Sequence, residues 1–205
     1  MISDLREKII QSALLQFEEK GFHGVSVNEI VTSVGTSKGG FYHHFSAKDE
    51  LLFVIHDIFI SYVLEKATIA YQTYESPTKR LQLIIKEFVS VFDRYKPHIS
   101  VFYQESIYLR PEYETLIKDK RDQFKRIVTD TIMEGKECKE FRQELSPDIT
   151  GMAILGMVNW TYKWYKQSGT KTIEEIGDEF VDLILHSVLK VESLSSAIYQ
   201  DLLIK

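Results

Sequence analysis

Apolar residues recur along this chain at the three-and-four spacing that turns one face of an α-helix towards a core. Ile10, Ala13, Leu14 and Phe17 stand at i, i+3, i+4 and i+7, and Val27, Ile30, Val31 and Val34 repeat the interval in a shorter segment. The punctuation between segments is helical too. Gly21 follows Lys20 as a C-terminal cap. Ser26, with Glu29 three residues on, makes a capping box in which each side chain satisfies a free backbone N–H. Gly35 closes the second segment, and Thr36-Ser37 cap a third, very short helix that ends near Phe45. Ser46 with Asp49 forms another such box, opening a long helix through Leu51, Leu52, Ile55 and Phe59 towards Tyr71.

The same grammar continues. Ser76-Pro77 places proline at a first helical position, while Pro97 and Pro111 are expected to break or kink the middle of the chain. A helix beginning near Glu112 and running to Glu134 is expected to stop near Gly135. Another opens at Ser146-Pro147-Asp148 and runs towards Gln167, with Gly169 ending it. Thr172 and Glu175 form a last box ahead of Ile176, Phe180, Val181, Ile184 and Val188. No stretch alternates as a strand does, and no internal repeat is visible. The pattern predicts an all-α protein, with an N-terminal three-helix domain containing a helix-turn-helix over 1–48 and a helical domain over 49–205. Residues 191–205 extend past the expected last helix and receive no role.

Composition narrows the class without naming it. The 205 residues are 44% hydrophobic and 27% charged, ordinary values for a soluble globular chain. No apolar run approaches membrane-spanning length, and Met1–Lys20 mixes acids and bases where a leader would carry an apolar core, so the expectation is a cytoplasmic protein with no membrane partner. Cys138 is the only cysteine, which excludes an internal disulfide and a thiolate metal cluster. A net charge of −5 argues against coating nucleic acid through bulk charge and leaves the question to local pattern.

That local pattern is informative between Val25 and Leu51. No acidic residue lies between Glu29 and Asp49, whereas Lys38, His43, His44 and Lys48 all do. A surface that meets phosphates requires this clearance, because each uncompensated carboxylate would repel the nucleic-acid backbone. The short third helix contains Gly39-Gly40, each glycine costing about 1 kcal/mol relative to alanine. A recognition helix gains from them, since missing side chains let the backbone approach the major groove. Tyr42 and His43 carry polar ends on rigid rings, and Lys48 stands where its ammonium and a helix N-terminus can grip one phosphate together. Ser26 serves as a cap, as a phosphate contact, or as both. Adjacent helical residues such as His43 and His44 diverge by ~100° and no carboxylate or thiol cluster accompanies them, so no metal site is expected. Gly35 with Gly39-Gly40 lacks the spacing of a phosphate loop. No nucleophile-base pair stands out either, and the reading is of a protein that is not an enzyme and takes no cofactor.

The run Gly21-Phe22-His23-Gly24-Val25-Ser26-Val27-Asn28-Glu29-Ile30, then Gly35-Thr36-Ser37-Lys38-Gly39-Gly40-Phe41-Tyr42-His43-His44-Phe45 and Lys48-Asp49-Glu50-Leu51, resembles the DNA-binding domain of the TetR/AcrR family of repressors. Val31 departs from it, since many members carry alanine there. The resemblance implies that Ser26 contacts phosphate at the start of the second helix. It implies also that Thr36, Ser37, Lys38 and Gly39 form the N-terminal end of the recognition helix, and that Tyr42, His43 and Lys48 contact phosphates and bases. Phe41 and Phe45 match core positions, and His44 matches a histidine that is more often structural.

The resemblance further implies a variable C-terminal region that binds an effector and dimerises. Aromatics crowd that region, and apolar pockets with a few polar anchors are the usual small-molecule sites. Phe102, Tyr103, Phe124, Met157, Trp160 and Trp164 are the expected ligand-lining residues. Met152, Gly156, Phe180, Ile184 and Val188, on the helices opened by Pro147 and Thr172, are the expected dimer interface. A two-fold dimer would set two recognition helices ~34–36 Å apart, one turn of B-DNA. The stretch from Ala153 to Trp160 with Trp164-Tyr165 is similar to members controlling fatty-acid or other acyl-CoA catabolism. Lys118, Lys120, Arg121, Lys125 and Arg126 are candidate anchors for CoA phosphates, although a solvated helix face explains them equally well.

Together these features predict a repressor that binds palindromic double-stranded operator DNA as a homodimer. A hydrophobic small molecule, a fatty acid or acyl-CoA among the candidates, would release it. A multidrug-sensing repressor of an efflux gene is the alternative, with an enzyme or a non-sensing architectural DNA-binding protein as the readings from other classes.

Overall fold

The structure, a computed structural model, describes residues 2–194, 199 and 201–203. The rest of the tail 191–205 lies outside the described residues. Three helices open the chain, α1 (Ile2–Lys20), α2 (Val27–Ser33) and α3 (Lys38–His44). They are followed by α4 (Lys48–Thr73), α5 (Pro77–Arg94), α6 (Lys96–Glu105), a 3-10 turn (Ser106–Tyr108) and α7 (Pro111–Glu137). Then come α8 (Pro147–Asn159), α9 (Thr161–Trp164), α10 (Ile173–Val188) and α11 (Val191–Leu194). The protein is all-α, and among the described residues the nearest thing to a sheet is one isolated antiparallel bridge between Phe141 and Leu189.

The chain forms two compact units, Met1–Ser61 with Tyr95–Lys120, and Tyr62–Arg94 with Arg121–Lys205. The division expected at residue 48 is therefore not where the packing divides. In the first unit α1 packs against α2, α3 and α6. Its core contains Ile9, Ile10, Ala13, Leu14 and Phe17 of α1, with Ile30, Val31, Phe41 and Phe45 from the helices it supports. Helix α4 adds Leu51, Leu52, Ile55 and Phe59, and Phe102 of α6 meets the Phe59 ring edge-on at 5.0 Å. The second unit is built on α10 lying along α5, where Gly177 keeps the helices close at Val89. Phe88 and Phe124 meet edge to face at 4.9 Å in its interior.

Several helix ends differ from the expected ones, each for a local reason. The breaks expected at Pro97 and Pro111 fall at helix starts: α5 ends at Arg94 and Pro97 lies in the first turn of α6, while Pro111 opens α7, positions where a missing N–H costs no helical hydrogen bond. Ser46 makes its box with Glu50 instead of Asp49, the Glu50 carboxylate accepting from its backbone N–H at 2.6 Å and its hydroxyl at 2.7 Å. Asp49 pairs with Arg110 at 3.2 Å. Helix α7 runs through Gly135 to Glu137, and the chain reverses at Lys139, whose φ is 64°. The helix opened by Pro147 stops at Asn159, and α9 ends before Tyr165, whose backbone is extended and whose hydroxyl donates to Asp93 at 2.8 Å.

Gly135 has a packing role. A Cβ built there would overlap the ring of Phe141, which is fully buried. Replacing Gly135 with alanine gains ~1 kcal/mol of helix propensity, yet it forces a large ring out of a filled core. We expect Gly135→Ala to destabilise the protein by about 1–3 kcal/mol net in a urea titration. An unchanged or raised midpoint would show that the ring is not seated on this glycine.

Candidate nucleic-acid interface

The three N-terminal helices set a short exposed stripe on a rigid support. Helix α2 begins at Ser26, whose hydroxyl accepts from the Glu29 N–H at 3.2 Å while the Glu29 carboxylate takes the Ser26 N–H at 2.8 Å. The Ser26 hydroxyl also donates to that carboxylate at 2.7 Å, and hydrogen bonds from Ser26 hold Glu29 below the usual carboxylate range. Gly35, with φ 69°, turns the chain between α2 and α3, and Thr36 N–H donates back to the Val31 carbonyl at 2.9 Å. A residue with a Cβ would be strained in that left-handed conformation. Ser37 then caps α3, its hydroxyl accepting from the Gly40 N–H at 3.2 Å.

This geometry sorts the residues of α3 cleanly. Phe41 is fully buried, while Ser37, Lys38, Gly39, Tyr42 and His43 are all exposed on the outer side. Thr36 and His44 are half-buried, His44 lying edge-on to the His43 ring at 4.9 Å. The two glycines separate as well. Gly39 has open space around it, its ideal Cβ position standing 3.5 Å from the Ser37 hydroxyl. Gly40 does not, since a Cβ there would run into the Thr36 hydroxyl and approach Leu5. Gly39 therefore leaves room outside the helix, whereas Gly40 lets the first turn of α3 lie close against Thr36.

Lys48, expected as a phosphate contact, makes its hydrogen bonds within the protein. Its ammonium donates to the carbonyls of Phe22 at 2.7 Å and Val25 at 2.6 Å. It also lies 4.2 Å from the centre of the Phe22 ring. Burial lowers its pKa from the ordinary lysine value, with Asp49 and Glu29 acting in the opposite sense. Lys48 thus holds the turn between α1 and α2, and a phosphate would have to compete with two short charge-assisted bonds. Nothing in the sequence pattern signalled this, because the partners are backbone atoms more than twenty positions away.

The expected ligand-lining residues are distributed over both units. Phe102 is buried and Tyr103 half-buried in the first, with Phe102 5.2 Å from the His56 ring. Phe124 is buried and Met157 half-buried in the second. Trp160 and Trp164 are 61% and 45% exposed and therefore do not line an enclosed interior. Trp164 instead borders an open hollow of about 420 Å³ with Tyr165, Ile176 and Phe180.

The expected dimer residues divide too. Met152 and Gly156 are exposed and Phe180 is half-buried, but Ile184 and Val188, at 2% and 0%, are core residues of their own subunit. Helix α10 has an apolar stripe because it packs on α5, and that stripe is already used. Large apolar side chains left outside in this part of the chain include Ile149 and Met152 of α8, Trp160 at its C-cap and Leu183 of α10; the helical spacing of 149, 152, 153, 156 and 160 would have revealed the first three.

No described helix is long and apolar enough to cross a membrane. Among known proteins, residues 9–55 match the family described as bacterial regulatory proteins, tetR family, and residues 74–188 match the tetracyclin repressor-like C-terminal domain. The HTH-type transcriptional repressor KstR2 of Mycobacterium tuberculosis is 22% identical over 191 residues, spanning 92% of this chain and 95% of that protein. The crystal structure of the TetR family transcriptional regulator PfmR from Thermus thermophilus is 27% identical with a TM-score of 0.81, covering 87% of this chain and 97% of that one. The structure of AibR in complex with isovaleryl coenzyme A and operator DNA shares the fold, at 24% identity, a TM-score of 0.77 and coverage of 87% and 97%. With the helix-turn-helix and more than half of the remaining length both matched, and with α3 capped, exposed and cleared of acids, this chain belongs to the tetR family of bacterial regulatory proteins.

Proposed function

We propose that the protein is a transcriptional repressor that binds a palindromic operator as a homodimer and lets go when a hydrophobic small molecule binds. The observation that carries this is the outer stripe of α3. Ser37, Lys38, Gly39, Tyr42 and His43 are exposed together on a helix held from behind by buried Phe41, in a segment without acidic residues between Glu29 and Asp49. That is a surface for phosphates and base edges, with Lys38 at the helix start where a side chain reaches into the major groove. Repression is supported by KstR2, named as a transcriptional repressor, and an effector by AibR, whose structure holds isovaleryl coenzyme A with operator DNA. An acyl-CoA is accordingly the first effector class to test.

The dimer reading rests on the apolar residues of α8 and α10 that the subunit leaves uncovered, among them Met152, Trp160 and Leu183. Gly156 sits within that face with no atom within 4 Å of its Cβ position, room for a partner helix to approach. The effector acts by shifting population. It lowers operator affinity only by the difference between its affinities for the DNA-competent and the DNA-incompetent dimer.

Four outcomes are expected. In selection from a random duplex library, Lys38→Ala should change the preferred operator or relax it at one position, by about 1–3 kcal/mol of discrimination. Lys48→Ala should weaken binding to every duplex by destabilising the head, about 1–3 kcal/mol in unfolding free energy, while the slope of affinity against salt stays as in wild type. A slope reduced by about one phosphate contact would restore Lys48 to the DNA surface. Trp160→Ala should weaken the dimer by about 2 kcal/mol or more in sedimentation. For the effector, isovaleryl and longer acyl-CoAs titrated into the protein–operator complex should release the DNA. If every acyl-CoA that binds leaves operator affinity unchanged at saturation, this effector class is wrong.

A further inference from the structure

Glu105, the last residue of α6, is a carboxylate that is 7% exposed. Among the described residues no cation pairs with it. It accepts instead from the backbone N–H of Phe22 at 3.0 Å, across 83 positions of sequence, and it lies against Gly21, whose φ of 73° turns the chain out of α1. A carboxylate taken out of water without a counter-charge is costly, so a hydrogen bond to it is short of alternatives and strong. The same Phe22 residue is held from its other side, where its carbonyl accepts from Lys48. The N–H and the C=O of one residue are thus each bound to a charged side chain, one at the end of α6 and one at the start of α4.

The surroundings make this a mechanical joint. Tyr108, in the 3-10 turn that follows Glu105, stacks on Phe22 at 6.1 Å and meets His23 edge-on at 4.3 Å. One turn earlier on α6, Phe102 packs between His56 and Phe59 of α4. The turn gripped in this way runs directly into Ser26, the cap from which α2 starts, and α2 leads through Gly35 to α3. A rotation of the last turn of α6 that withdrew the carboxylate would free the Phe22 N–H and let the start of α2 shift.

We propose that Glu105 is a positioning residue for operator recognition: through the Phe22 N–H it ties the head to α6 and fixes the angle at which α3 is presented. The proposal rests on the operator-binding dimer argued above. Its signature is geometric. A dimer whose heads are held at fixed angles discriminates between half-site separations, whereas one with loosened heads does not.

The test uses the full-length protein and the duplex it selects from a random library. Companion duplexes have the half-site separation changed by one and two base pairs, and one carries a single half-site. Glu105→Ala is expected to lose about tenfold in affinity on the selected duplex and much less on the altered ones, with binding to the single half-site unchanged. Glu105→Asn, a methylene too short to reach the amide, should behave alike and serves if the alanine variant does not fold. Glu105→Gln keeps a carbonyl oxygen for Phe22 and should retain the preference for separation. Hydrogen exchange at the Phe22 amide should quicken in the alanine and asparagine variants only. The role is overturned if the alanine or asparagine variant keeps the wild-type preference, or loses equally on every duplex, the single half-site included. A wild-type protein that selects no two-fold duplex removes the operator reading and the role of Glu105 with it. That failure is distinguishable because wild type and variants then behave alike.

Discussion

Between α1 and α2 the chain leaves the helix for six residues, and the carbonyls it turns inward there must find donors elsewhere. Lys48 supplies them. Its ammonium reaches the Phe22 and Val25 oxygens and covers the Phe22 ring, so one cation closes the turn in polar and apolar senses at once. Everything outward of it is positioned by that closure. The Ser26 cap follows the turn, the Gly35 reversal follows the cap, and the exposed side of α3 follows the reversal. A surface that reads DNA needs its backbone already in place, because ordering several residues on binding would consume most of the energy the contacts supply.

The sequence was most legible where structure is local. The Ser26–Glu29 and Thr172–Glu175 boxes, the Gly21 and Gly35 turns and the Ser37 cap are interactions between residues at most five positions apart, and each was visible from spacing alone. The exposed residues of α3 were legible for the same reason, since the buried position of Phe41 fixes which side of so short a helix faces out. What could not be read were partnerships set by folding. Lys48 has the charge and location of a phosphate contact, and only the three-dimensional neighbourhood shows it turned towards carbonyls. Ile184 and Val188 form an apolar stripe at helical spacing, but periodicity reports that a face is buried without reporting against what. Glu105 carries no signal in the sequence, because an isolated glutamate near a helix end has the pattern of any solvated residue.

The glycines of α3 and α7 answer to different neighbours. The cost of Gly39-Gly40 in a helix is real, and something must offset it. For Gly39 the open space outside is consistent with approach to another molecule. For Gly40 and Gly135 the offset lies inside the fold, against the Thr36 hydroxyl and the Phe141 ring. A missing side chain marks close approach, and the neighbour that approaches can be another molecule or the chain itself.

The first compact unit is assembled from two stretches separated in sequence, with Tyr95–Lys120 completing what Met1–Ser61 begins. This bears on anyone who would transplant the DNA-reading end onto another sensor. A chimaera joined after α3 would inherit the outer face of that helix but leave Gly21–His23 facing a foreign α6, without the acceptor at Glu105 or the ring at Tyr108. The smallest transferable unit is therefore discontinuous. On the operator reading proposed above, swapping specificity within this fold means exchanging the few outward side chains of α3 in place, or carrying both stretches together.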